Sequence, residues 1–148
     1  MTVLSFRLSV FSSKALVGSQ SYKDLIVWQE GLLLCTAVYE VCSKFPTTER
    51  YGLADQMKRA AVSIPSNIAE GQARRHINEF AHFLSIANGS LAELDTQRLI
   101  AQNLAFISGE QSLGLESRIT SIRKMLYSPI ESLKRPAKPS KWKLKTEN

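Results

Sequence analysis

Apolar side chains recur every three or four positions through four consecutive stretches of this chain. Nowhere do they alternate in twos over a useful length. In residues 24–44 one seam runs through Leu25, Trp28, Leu32, Cys35, Tyr39 and Cys42, and a second through Ile26, Leu33, Ala37, Val41 and Phe45. A helix apolar over so wide an arc needs cover on more than one side, more than a lone subunit can give. Phe45-Pro46 closes it, and Thr47 or Thr48 is placed to cap the next helix. That second stretch, residues 49–71, carries Leu53, Met57, Ala60, Ala61, Ile64 and Ile68. Pro65 inside this pattern predicts one helix bent near residues 61–65 rather than two, and Gly71 predicts its end.

The third stretch, 76–107, is the longest. It shows Ile77, Phe80, Leu84, Ala87, Leu91, Leu94 and Ala101 on one seam, with Ile100, Leu104 and Ile107 on another; Gly109 is expected to end it. The fourth, 111–134, gives Leu115, Ile119, Ile122, Leu126, Ile130 and Leu133, with Pro129 bending its last turns or ending it early. Short joints between long helices make consecutive helices antiparallel neighbours. The expected fold is therefore all-α, an up-down antiparallel four-helix bundle over residues 22–134. A flexible extension over 1–21 precedes it, and a basic flexible tail over 135–148 follows.

At 148 residues and 44% hydrophobic content the chain suits one domain with a real core. Its net charge of +6 changes meaning once located. Residues 1–20 hold Arg7 and Lys14 and no acid; residues 135–148 hold Arg135, Lys138, Lys141, Lys143 and Lys145 against Glu147. The stretch between holds twelve basic and twelve acidic residues, so the body is neutral and is no broad phosphate-binding surface. No apolar run approaches the ~20 residues of a membrane span. The opening MTVLSFRLSVFSSKALVGSQ is a poor secretory signal, because Arg7 interrupts the apolar run. An organelle transit peptide, a flexible extension or a start placed too far upstream all fit it. Cys35 and Cys42 lie about 10 Å apart along one helix face, too far for a disulfide, and have no CxxC partners. Reduced thiols and a cytoplasmic location follow from that reading.

The chemistry that bundles host is absent from the pattern. A di-iron site needs two Glu-x-x-His pairs. Glu79/His82 is one, but Ala73 stands three before His76, so there is no second. Gly109–Gly114 has Walker glycine spacing, but Leu115 replaces the lysine. Nothing supports an enzyme, a cofactor or a metal. The unusual stretch is the second helix, where Gln56, Arg59, Ser63, Asn67 and Glu70 form a polar stripe at three-four spacing. It fits a solvated face. Short polar residues are nonetheless poor choices for an exposed helix interior, and Arg59 suits contacts between helices or subunits. Lys58, Arg59, Arg74 and Arg75 read as the body's one compact basic cluster. In the tail, Lys141-Trp142-Lys143 interleaves cations with a ring able to stack on a base.

The words Tyr22-Lys23-Asp24-Leu25-Ile26-Val27-Trp28-Gln29, Glu49-Arg50-Tyr51-Gly52-Leu53, Ser63-Ile64, Asn67-Ile68-Ala69-Glu70-Gly71 and Gly89-Ser90-Leu91-Ala92-Glu93-Leu94, taken in order, resemble one family. It is the bacterial four-helix-bundle family named for the 23S ribosomal RNA intervening-sequence protein, which includes accessory variability proteins of diversity-generating retroelements. The resemblance implies a homopentameric ring. In the retroelement branch it implies binding of a reverse transcriptase and nucleic acid through a strongly basic ring, from which this neutral body departs. Two functions result: an oligomeric accessory protein binding RNA, DNA or a nucleic-acid enzyme, or a purely structural self-assembling protein with a protein partner.

Overall fold

A computed structural model describes residues 21–134. Lys141, Trp142 and Lys143 lie outside the described residues, as do residues 1–20. Among the described residues there are four α-helices and no strand: α1 (Ile26–Cys42), α2 (Leu53–Ala73), α3 (Ile77–Asn103) and α4 (Gly109–Lys134). Two 3-10 turns, Tyr22–Asp24 and Thr47–Glu49, precede α1 and α2.

Local chemistry sets the boundaries. The Ser21 hydroxyl accepts from Lys23 N at 3.2 Å and starts the first turn. At the head of α2, Glu49 rather than a threonine satisfies the helix, its Oε2 accepting from Leu53 N at 3.1 Å. Ser108 and Gln111 exchange side-chain-to-backbone bonds of 2.9 and 3.1 Å, a reciprocal cap on α4. Gly71 does not end α2, which runs two residues further and turns at Arg75, φ 60°. Likewise α3 ends at Asn103, with Ala105 at φ 59°, and Gly109 opens α4 instead of closing α3. Both turns thus place a non-glycine residue in the left-handed region, costing roughly 1–2 kcal/mol each. Gly71 has another use. A Cβ there would stand 2.6 Å from Phe83 Cβ and 3.0 Å from the Phe80 ring, so its bare backbone is what lets α3 approach.

α1 and α3 each lie beside α2 and α4, as an up-down bundle requires. Cross-contacts fix the antiparallel directions: Gly31 against Pro65, Cys42 Sγ on Ala54 O, Ser63 on Ser90, and Arg98 on Ser112. Ser21 and Lys134 therefore lie at one end, together with the α2–α3 turn. α2 continues unbroken through Pro65, whose buried ring rests on Gly31.

The core is built from Leu34, Val38, Met57, Ile64, Ile68, Leu84, Leu91, Leu94, Ile119, Ile122 and Leu126. The seams expected on α2 and α4 are those buried, with Leu53 and Leu133 half-buried at the margins. On α1 the phase differs. The inward stripe is Val27, Gly31, Leu34, Val38 and Cys42, whereas Leu32, Leu33 and Tyr39 remain 41%, 52% and 47% exposed. On α3, Ile77, Ile100 and Leu104 of the expected seams also face outward.

Candidate interaction surface

The polar stripe of α2 divides into parts that tie the bundle together and parts that face water. Ser63 Oγ meets Ser90 Oγ of α3 at 2.8 Å. Asn67 Nδ2 donates to Ser63 O and Oγ at 2.7 and 2.9 Å. Short polar side chains in mid-helix are thus explained by an α2–α3 contact. Gln56 is exposed. Arg59 donates to Asp55 Oδ2 through Nε at 2.9 Å and Nη2 at 2.6 Å, and Glu70 accepts from Arg74 Nη2 at 2.8 Å. These hydrogen bonds, reinforced by the neighbouring charge, push both guanidinium pKa values above their ordinary value.

The basic residues do not form one cluster. Arg59 and Arg74 are fifteen residues apart, about 22 Å along a continuous helix. Lys58 lies over the Tyr39 ring at 5.2 Å, and Arg74 over the Phe83 ring at 5.5 Å. Arg75 is exposed at the α2–α3 turn. Distance along the helix and local carboxylates therefore break up what sequence proximity suggested.

A group that sequence reading passed over is Arg98, only 4% exposed. Its Nε donates to Asp95 Oδ1 at 2.9 Å and its Nη1 to Ser112 Oγ at 2.6 Å. The Ser112 hydroxyl in turn donates to Gln102 Oε1 at 2.7 Å. Arg98 occupies the seam position between Leu94 and Ala101, and a charge at an apolar register was its available signal. Nearby, Gln97 donates to Glu93 Oε1 at 3.1 Å, while its own buried Oε1 has no hydrogen-bond partner. His82 is exposed with its ring edge on Phe83, and no group of three or more His, Cys, Asp or Glu among the described residues could hold a metal ion. Cys35 and Cys42 are free thiols; burial pushes the Cys42 thiol up to about 11. No helix among the described residues is long and apolar enough to cross a membrane.

Several large apolar side chains are exposed to solvent. Leu32, Leu33 and Tyr39 on α1, Val62 on α2, and Ile86, Ile100 and Leu104 on α3 all face outward. A family model described as 23S rRNA-intervening sequence protein matches residues 23–128. The chain belongs to this family. A crystal structure at 1.70 Å of a protein with unknown function, from the S23 ribosomal protein family of Bacteroides thetaiotaomicron, is similar to it. The TM-score is 0.65 at 22% identity, over 72% of this chain and 99% of that one. That likeness shows the fold. No curated protein matches the chain. Among the described residues of this 23S rRNA-intervening sequence protein, outward apolar and basic side chains offer surfaces for contact.

Proposed function

We propose that this chain is a non-enzymatic, self-assembling accessory protein whose α1 face is buried against other copies of itself. The observation that carries this reading is the exposure of Leu32, Leu33 and Tyr39 on a helix whose opposite side already fills the core. Such a face is stabilised by leaving water, at roughly 25 cal/mol per Å² of apolar area. Light scattering at micromolar concentration tests it. A mass well above 16.5 kDa is expected, and a monomer would end the proposal.

A second reading, contact with RNA or DNA or with a nucleic-acid enzyme such as a reverse transcriptase, is favoured by where the cations are. Arg74 and Arg75 stand at the end of the bundle from which both acid-poor extensions leave. Lys141, Trp142 and Lys143 would add charge and stacking. Lys58 and Arg59, further along α2, would belong to a separate contact. Filter binding to structured RNA over a salt series should give a log–log slope near −4 if about five phosphates are neutralised. A flat response sinks this second reading and leaves the first intact.

A further inference from the structure

The outward side of α1 has two flanks of different character. Gly31 on Pro65, Cys42 Sγ on Ala54 O and Lys58 over the Tyr39 ring turn one flank towards α2. The other helix beside α1 is α4, so the opposite flank borders α4. Ile26, Glu30, Leu33, Ala37 and Glu40 run along that flank at intervals of four, three, four and three. Leu33 and Glu40 are exposed, and the other three are half-buried. Glu30 and Glu40 are the only charged residues of α1, and no ion pair among the described residues involves either. Ten residues separate them, about 15 Å along the helix, with Leu33 and Ala37 between.

The chain's own C-terminal sequence matches this acid-apolar-apolar-acid order. From Arg135 to Lys145 it carries five cations and no acid, and it ends in Lys141-Trp142-Lys143-Leu144-Lys145. Arg135 follows directly on Lys134, at the end of the bundle where α1 begins. Eleven extended residues reach roughly 36 Å, against about 21 Å from Ile26 to Glu40, so the stripe is within range along its whole length. Lys141 and Lys145 stand about 13 Å apart in an extended chain, close to the spacing of the two carboxylates. Pro136 and Pro139 disfavour helix in the connecting stretch and limit the freedom it loses on docking.

We infer that residues 141–145 dock along this flank of their own α1, with Lys141 at Glu30, Trp142 and Leu144 on Leu33 and Ala37, and Lys145 at Glu40. Exposed ion pairs contribute little by themselves; they set the register, and the Trp142 ring leaving water supplies most of the stabilisation. The inference goes beyond the self-assembly reading, because Leu32 and Tyr39, towards the α2 side of the same helix, stay open to a second copy. A docked tail also withholds Lys141, Trp142 and Lys143 from nucleic acid.

Trp28→Phe leaves Trp142 as the one tryptophan of the full chain. At low salt its emission should lie to the blue of the same chain unfolded in urea, and acrylamide should quench it severalfold less. Glu30→Lys with Glu40→Lys should return both readings to their unfolded values. Adding Lys141→Glu, Lys143→Glu and Lys145→Glu to that pair should restore the shielding. A Trp142 as quenchable at low salt as in urea overturns the inference, as does shielding that survives the two glutamate substitutions or that charge reversal fails to restore. Shielding lost on dilution also overturns it, since the tail then belongs to another copy. Should circular dichroism find Trp28→Phe unfolded, subtracting Trp142→Phe from the wild-type emission gives the same reading of Trp142. A wild-type monomer with Trp142 shielded would sink the self-assembly reading and uphold this one.

Discussion

Cys42 shows how one side chain reports the core. Its thiol is buried against α2, with Sγ 3.8 Å from Ala54 O, and burial raises its pKa from 9.0 to about 11. The thiolate is disfavoured in the fold but not in the unfolded chain, so the unfolded state loses its proton first as pH rises. Stability is unaffected by this group below about pH 9 and falls between pH 9 and about 11. Denaturant melts across that window should show the decline, and Cys42→Ala, though less stable throughout, should flatten it. A decline of the same size in the variant would locate it elsewhere. Nothing in the sequence marked Cys42 apart from Cys35, which shares its helix face; the difference is position along the helix, because Cys42 lies against Ala54 of α2, and only the neighbours decide that.

At the scale of elements, helix spacing revealed four helices and the buried faces of α2 and α4, because those helices alternate apolar and polar sides. It missed the inward face of α1. That helix carries apolar residues almost all round, so the period is visible but its phase is not, and Gly31, which sits against Pro65, does not register as an apolar position. The polar stripe was visible, but not that Ser63 and Asn67 belong to an α2–α3 bond, because the partner, Ser90, lies twenty-seven residues away. Glycines were misread as stops for a related reason, since Gly71 serves a neighbour rather than its own helix. Gly71→Ala should therefore destabilise by about 1 kcal/mol, the helix-propensity gain being outweighed by overlap with Phe83. Gly89→Ala, with nothing within 4 Å, should stabilise by a similar amount. Thermal melts shifting in opposite directions, each by about 3 °C, check the pair.

Across the whole molecule, α3 and α4 are joined by the buried guanidinium of Arg98, which reaches half-exposed Asp95 on its own helix and buried Ser112 on α4, where the α1–α2 half has Gly31 on Pro65. Removing one partner from such a contact leaves buried polar groups without theirs. Arg98→Ala should cost about 3 kcal/mol in urea unfolding, and Arg98→Met, which keeps the volume, clearly less. Equal losses would mean the guanidinium contributes only bulk. The even number of helices has a different consequence. Ser21 and Lys134 lie at the same end of the bundle, so copies arranged around an axis parallel to their helices would have both points of attachment of every copy on one rim. Each added copy would bring two further junctions with basic sequence, net +2 over 1–20 and +4 over 135–148, to that rim. Such an assembly would have a front and a back, told apart by where those sequences join it.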